Sequence, residues 1–151
     1  MSSIAVRNLV KSRVENDWPE RGTADVIDVT NLNIDRGIDD SLWVALEYPG
    51  GTEEPISQGD PGNNLYREMG IFNIHVLVPS GSGATAALTA IETLRNLFRG
   101  AEFGTAPNFV RCFGADPATT SDKISPATIQ GQWYIITTSV DYTFDLYGGQ
   151  S

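Results

Sequence analysis

The sequence predicts an α+β fold: a mixed, mainly antiparallel β-sheet with two α-helices packed on one face and a long inter-strand arm, residues 49–65. Three observations predict this class. Several runs alternate apolar and polar residues, as strands with one buried face do. Two other segments place apolar residues at helical spacing. The segment 49–65 is polar and lies between two of the strands. Because strands and helices do not alternate regularly, the pattern favours α+β over a parallel α/β sheet.

Length and charge limit the classes of function. A chain of 151 residues, 40% hydrophobic and 19% charged, predicts one globular domain, residues 1–151. No apolar run is long enough for a membrane span, and the spaced apolar residues near the N-terminus are not typical of a signal peptide. The net charge of −9 disfavours wrapping of nucleic acid but is compatible with letting DNA pass. The single cysteine, Cys112, excludes an internal disulfide.

The N-terminal segment predicts a helix that begins at a cap, Ser2 or Ser3, and runs to about Asp17. Pro19 and Gly22 follow it and end it. Its apolar residues form an irregular stripe, which we expect to pack on the sheet. The stripe consists of Ile4, Val6, Leu9, Val10 and Val14.

The acidic segment 23–40 suggests a metal site but lacks the residue spacing of a calcium-binding loop. We therefore predict a solvated acidic loop with at most one short or edge strand. Its aspartates are Asp25, Asp28, Asp35, Asp39 and Asp40.

Residues 41–48 predict a strand, which we expect Pro49, Gly50 and Gly51 to close. The arm that follows is unusually long for a connection within a compact domain. We expect it to form an extended hairpin or a flexible flap that reaches a neighbouring subunit. The strand is predicted to place Trp43, Ala45 and Glu47 on one face and Leu42, Val44, Leu46 and Tyr48 on the other.

Residues 66–100 form the predicted centre of the fold, with a strand, a glycine-containing turn and a helix. The helix is expected from about Ala84 to Phe98, with a stop at Gly100. Its apolar stripe is Ala87, Leu88, Ile91, Leu94 and Phe98. In the strand 70–78, Phe72, Ile74, Val76 and Val78 share a core face, and Ile71, Asn73, His75 and Leu77 share the other.

The C-terminal part predicts a short strand at 109–113, a polar loop at 115–125 and a long strand at 133–147. The long strand alternates, so one of its faces is expected to be wet or to meet a polar partner. Its apolar face holds Ile136, Val140, Tyr142, Phe144 and Leu146, and its polar face holds Thr137, Ser139, Asp141, Thr143 and Asp145.

The residues do not form a catalytic constellation. The turn 81–85 lacks the lysine of a P-loop and the third glycine of a dinucleotide fingerprint. The only histidine, His75, and the only cysteine, Cys112, have no partner arrangement typical of nucleophilic catalysis, and both are interpreted as structural. We therefore predict no enzymatic activity, no cofactor and no metal. A small ligand-binding or enzymatic domain is an alternative, suggested only by this turn and by the His75/Cys112 pair.

Several short motifs follow one another along the chain: Tyr66-Arg67-Glu68, Gly70-Ile71-Phe72, Pro79, Gly81, Gly83, an Ala-rich helix ending at Phe98, Ser125-Pro126-Ala127 and Trp133-Tyr134. In this order and spacing they resemble the small tail-terminator (tail completion) proteins of long-tailed, siphovirus-type bacteriophages. An N-terminal helix followed by a strand such as SLWVALEYP also fits that family. The resemblance covers most of the chain and is weakest over residues 22–40 and 49–65.

This resemblance implies a structural virion protein. It implies a hexameric ring that caps the head-proximal end of the tail tube, ends tube polymerisation and forms the joining surface for the head-completion connector. The implied partners are other copies of the chain, the tail tube protein and the connector, while DNA passes through the lumen without specific binding. Assembly is implied in the host bacterial cytoplasm. Another head–tail connector or the tube subunit itself is an alternative.

The sequence points to the arm and its base as the interface with another subunit or with the tube. A closed ring needs a heterologous interface, and an extended arm can supply part of it. Arg67 and Glu68, at the base of the arm, are expected to form either inter-subunit pairs or a local solvated ion pair worth about 0–1 kcal/mol. The interface candidates are Gly50, Gly51, Thr52, Glu53, Glu54, Gln58, Asp60, Asn63, Asn64, Arg67 and Glu68.

Overall fold

The computed structural model describes residues 3–19, 21–22, 24–29, 33–35, 42–60, 62–79, 81, 83–106, 108–121, 128–130 and 133–148. Its elements in chain order are α1 (Ile4–Asp17), β1 (Val26–Asp28), β2 (Asn33–Asp35), β3 (Trp43–Pro55), β4 (Asn64–Pro79), α2 (Thr85–Phe98), β5 (Glu102–Thr105), β6 (Asn108–Ala115), β7 (Thr119–Ser121), β8 (Thr128–Gln130) and β9 (Trp133–Gly148).

Most of the described strands form one sheet, in the order β1-β3-β4-β9-β6-β5, with β7 also pairing with β9. The strands β2 and β8 pair separately. The β1–β3 and β2–β8 pairs are parallel, and the other pairs are antiparallel. This arrangement, with two helices, agrees with the predicted α+β class and the mixed, mainly antiparallel sheet.

The first helix begins and ends where the sequence predicts. The Ser3 hydroxyl accepts a hydrogen bond from the Val6 amide at 3.4 Å, as an N-cap residue does. Val6, Val10 and Val14 are buried on one side of the helix. Ile4, which we placed in the same stripe, is 75% exposed, because at 3.6 residues per turn it lies about 200° around the helix from Val6.

The second helix also matches its prediction closely. Ala87, Ile91, Leu94 and Phe98 are buried, but Leu88 is 45% exposed and does not belong to the apolar stripe. The reason is geometric, since Leu88 is rotated by about 100° from Ala87 at 3.6 residues per turn.

The main hydrophobic core lies on one face of the sheet and receives buried residues from both helices. The predicted core face of β4 is confirmed in full, and the apolar face of β9 is confirmed except for Leu146, which is 41% exposed. This cluster includes Val6, Val10, Val14, Val44, Leu46, Tyr48, Phe72, Ile74, Val76, Val78, Ile91, Leu94, Phe98, Val110, Cys112, Ile136, Val140, Tyr142 and Phe144. The opposite face carries a smaller cluster of Val29, Trp43, Ala45, Leu77 and Ile135.

Several expected boundaries were wrong. The strand predicted at 41–48 does not close at Pro49-Gly50-Gly51 but continues to Pro55, because a register shift between Glu47 and Gly50 absorbs the proline and pairing with β4 resumes. Strand β5 was missed, and β7 lies inside the predicted loop 115–125. The segment 23–40 holds two short strands where we expected at most one. Ser2, Asp39, Asp40 and Ser125-Pro126-Ala127 lie outside the described residues.

Candidate assembly surface on the arm

The arm is an ordered hairpin formed by the ends of β3 and β4. Pairing continues through Thr52 opposite Met69 and Glu54 opposite Arg67. The loop is closed by the Ile56 amide, which donates to the Leu65 carbonyl at 2.8 Å. On its other side, β4 is paired with β9 over its whole length. The arm is therefore a stiff extension of the sheet.

The interface candidates divide by exposure. Residues 51–60 are all exposed, and so is Asn63, which places seven of the candidates on open surface: Gly51, Thr52, Glu53, Glu54, Gln58, Asp60 and Asn63. The other four are partly buried: Gly50, Asn64, Arg67 and Glu68. The exposed group is available to a partner, whereas the partly buried group shapes the base of the arm. Their assignment to an interface stays a prediction.

Arg67 forms an ion pair within the chain. Its Nε donates to Asp145 Oδ1 at 2.7 Å, and its Nη2 donates to Asp145 Oδ2 at 3.2 Å. Arg111 Nη1 donates to the same carboxylate at 3.4 Å, and Arg111 Nε donates to Glu102 Oε2 at 2.8 Å. The hydrogen bond from Arg67, followed by the positive charges of Arg67 and Arg111, lowers the pKa of Asp145 against the opposing effect of its burial. Asp145 thus joins the arm to β6 and β5.

We expect Asp145→Asn to lower the free energy of unfolding by about 1–3 kcal/mol at neutral pH, because two guanidinium groups lose their anionic acceptor. The folded-state pKa of Asp145 is lowered. Its contribution is therefore present above the ordinary aspartate pKa of about 3.9 and is lost as pH falls through the folded-state pKa. Urea unfolding over a pH series should show the gap between wild type and variant narrowing in acid.

The control for this prediction is Asp141→Asn, an exposed carboxylate on the same strand. It should change stability by less than about 0.5 kcal/mol. If the gap for Asp145→Asn stays constant down to the lowest pH at which the protein is folded, the pair does not act through its charge.

Glu68 connects the arm to the first helix. Its Oε2 accepts a hydrogen bond from the Tyr142 hydroxyl at 2.5 Å and from the Ser3 amide at 3.3 Å. A carboxylate at a helix N-terminus is favourable because it faces the positive end of the helix dipole. Glu68 therefore holds the base of the arm against α1 and β9.

Close packing of glycine fixes the arm at its base. A Cβ on Gly70 would lie 2.7 Å from the Gly50 carbonyl oxygen and 2.9 Å from the Tyr142 hydroxyl. A Cβ on Gly51 would lie 3.1 Å from the Met69 carbonyl oxygen. The absence of side chains here lets Tyr142 reach Glu68 between the strands.

His75 belongs to a buried polar network on the sheet face opposite the main core. Its Nε2 lies 3.0 Å from Glu47 Oε1, and its Nδ1 lies 2.7 Å from Thr137 Oγ1. Asn73 donates to Glu47 Oε1 at 3.2 Å and accepts from the Ser139 hydroxyl at 2.7 Å. Both ring nitrogens of His75 are thus engaged by groups on neighbouring strands, as expected for a structural histidine.

Cys112 is not a partner of His75. It lies in the main core, and burial raises the pKa of its thiol to about 12. A thiol with so high a pKa is a poor nucleophile at neutral pH. This agrees with its interpretation as a small core residue.

The turn between β4 and α2 has the shape expected of a connection. Gly81 and Gly83 have φ values of 86° and 89°, which favour glycine. An open cavity here is lined by Pro79, Gly81, Gly83, Ala84 and Tyr134. These residues supply no charged group to hold a phosphate.

Two kinds of feature are absent among the residues that the structure describes. In that part of the chain, no group of three or more His, Cys, Asp or Glu residues is placed to hold a metal ion. No helix there is long and apolar enough to cross a membrane.

Comparison with known proteins gives a family. A family model described as phage tail terminator protein matches residues 5–142. One solved structure has a TM-score of 0.55 and 19% identity, covering 97% of this chain and 98% of the other. A chain from the virion of a native gene transfer agent particle has a TM-score of 0.47 and 19% identity, covering 95% and 94%. No curated protein matches the chain.

Proposed function

This chain belongs to the phage tail terminator protein family, and we propose that six copies of it form a ring that caps the head-proximal end of the tail tube. Membership of the family makes it a structural protein of the phage tail, and a role of this kind is not enzymatic. In the proposed role the ring ends tube polymerisation and presents its far side to the head connector. DNA passes through the lumen without specific binding.

One observation carries this proposal: the family match extends from the first helix to the last strand. The structure supports it in two ways. The sheet connects β1 to β9, which supports a single domain over residues 1–151. The exposed part of the arm offers a polar surface that can reach another subunit. A net charge of −9 favours a lumen that repels the DNA backbone.

The interface candidates have two different roles in this proposal. The exposed candidates, from Gly51 to Asn63, supply the contacts with the next subunit or with the tube. Arg67 and Glu68 keep the arm in position through Asp145 and Tyr142, since their charged groups are already bonded within the chain.

The test is an assembly experiment with purified protein and purified tail tubes. Native mass spectrometry and negative-stain electron microscopy should show a six-fold ring, free or at one end of each tube. A tube subunit would instead polymerise into long tubes. A protein that stays monomeric and does not bind tubes would overturn the proposal.

Deletion of the gene separates the alternatives in the phage. Loss of a terminator should give overlong tails that lack heads. Loss of the tube subunit should give no tails, and loss of a head connector should leave tails of normal length detached from heads.

A further inference from the structure

Among the described strands, the sheet has two edges at the same level that pair with no further strand. On one side, residues 50–55 of β3 pair with β4. On the other side of β3, strand β1 ends opposite Leu46, so in the described part of the chain no strand lies beside residues 50–55. At the far end of the sheet, β5 pairs only with β6 among the described strands. Unpaired edges of this kind are templates for pairing with another chain.

Residues that lie opposite one another on successive strands form rows that run across the sheet from one of these edges to the other. Glu53 lies opposite Glu68, Glu68 opposite Phe144, Phe144 opposite Val110, and Val110 opposite Phe103. Each step across the sheet is antiparallel, so β3 and β5, which are four steps apart, run in the same direction. A second copy placed edge to edge would therefore continue the sheet through a parallel β3–β5 pair.

Charge distinguishes this pairing from others. Arg13 of α1 lies over the Phe103 ring, with its guanidinium carbon 5.0 Å from the ring centroid. It donates to the Leu97 carbonyl at 2.9 and 3.1 Å and lies 3.4 Å from Asp17. Phe103, the residue on β5 that Arg13 covers, lies in the same row across the sheet as Glu53 on β3. An open groove of about 300 Å³ runs beside it, lined by α1 and by residues 103–105 of β5.

Pairing between the arms of two copies is disfavoured by the glutamates on their edges. If β3 of one copy met β3 of another, the exposed Glu53 and Glu54 of both copies would be brought together, and like charges on adjacent strands are destabilising. Glutamates and Pro55 on an edge strand also discourage indiscriminate strand addition. Pairing of this edge with the same edge of another copy is therefore disfavoured, whereas Arg13 places a positive charge beside the β5 edge.

We propose that residues 50–55 of one subunit pair with the β5 edge, Glu102–Thr105, of the next subunit, with Glu53 beside Arg13. This rests on the proposed ring of six. At this level each copy contributes five strands, β3, β4, β9, β6 and β5. Thirty strands at a spacing of about 4.8 Å give a circumference of about 144 Å and a diameter of about 46 Å before strand tilt is added. The ring wall is then a closed sheet without free edges at that level.

Thiol cross-linking tests the contact directly. Thr52 and Glu102 lie in the same row across the sheet and on the same face. In the variant Thr52→Cys/Glu102→Cys, a short bismaleimide should therefore link the two thiols between neighbouring subunits. The length of the reagent allows for a shift of one residue in the register of the β3–β5 pair. Denaturing gels should show a ladder up to hexamer. Cys112 is buried and should not react in the folded protein. The matched control, Thr52→Cys/Asn96→Cys, places the second thiol on the exposed surface of α2 and should give no ladder.

The other outcomes are equally informative. Dimers from Thr52→Cys alone would show arm-to-arm pairing and overturn the inference. Six-fold rings on electron micrographs without a ladder would overturn the β3–β5 contact and leave the proposed function standing. Monomers that neither form a ring nor bind tubes would overturn both.

Charge reversal gives an independent measurement. Glu53→Arg should weaken each subunit contact by about tenfold or more, because it places a second positive charge beside Arg13. Asp116→Arg makes the same charge change at an exposed position between β6 and β7, outside the interface candidates, and should alter association by less than about twofold. Equal effects of the two variants in sedimentation measurements would show that only net charge matters and would contradict the contact.

Discussion

Replacing Phe98 with alanine is expected to lower the free energy of unfolding by about 3–5 kcal/mol, because it leaves a cavity that the surrounding elements fill only partly. Phe98 is fully buried at the last turn of α2. Its ring lies 5.2 Å from that of Phe72 on β4 and 5.8 Å from that of Phe103 on β5. Urea unfolding followed by circular dichroism and tryptophan fluorescence measures the loss.

The control lies on the same helix. Leu88 is 45% exposed, so Leu88→Ala should change stability by no more than about 0.5 kcal/mol. If Phe98→Ala and Leu88→Ala have the same free energy of unfolding, Phe98 does not stabilise the core by its packing. Because Phe98 supports Phe103, we also expect its removal to weaken ring formation under conditions in which the protein is still folded.

The parts of the fold with the strongest periodicity were the most predictable from sequence. Residues 70–78 and 133–147 alternate almost without interruption, and both the strands and their buried faces were confirmed, apart from Leu146. The helices were also predicted well, since Ser3 marks the start of α1 and the positive φ of Gly100 marks the end of α2. Local signals were enough where burial repeats at a fixed interval.

The arm shows where local signals mislead. Pro49, Gly50 and Gly51 are typical turn residues, yet the strand passes through them. Gly51 is accommodated because Gly70 lies opposite it and because Tyr142 needs the space that a side chain would occupy at either glycine. Tyr142 is far away in the sequence, so no local pattern reveals this requirement.

The partners at the base of the arm could not have been found from sequence for a similar reason. Arg67 and Glu68 were singled out as charged residues beside the arm, but the choice between a local pair and an inter-subunit pair was open. The register of β4 with β9 brings Asp145 opposite Arg67. Asp145 appeared in the sequence only as one of several polar residues on an alternating strand.

Replacing His75 with leucine is expected to lower the free energy of unfolding by about 3 kcal/mol, because the buried Glu47 carboxylate loses a hydrogen-bonded partner. His75 and Glu47 are 3% and 5% exposed. Glu47 is also the last residue of β3 that pairs with β4 before the register shift, and the arm begins directly after that shift. The variant should therefore loosen the base of the arm as well as the sheet, and hydrogen exchange at residues 50–55 measures this loosening.

A second substitution separates the buried charge from the lost packing. In Glu47→Gln/His75→Leu the carboxylate becomes an amide whose oxygen still accepts the hydrogen bond from Asn73, so at least half of the loss should be recovered. Recovery would show that the Glu47 carboxyl group, buried without its histidine, is the main source of instability. If the double variant is no more stable than His75→Leu, the loss comes from packing and from Thr137, which also bonds to His75. The network would then stabilise the arm through its shape and not through its charge.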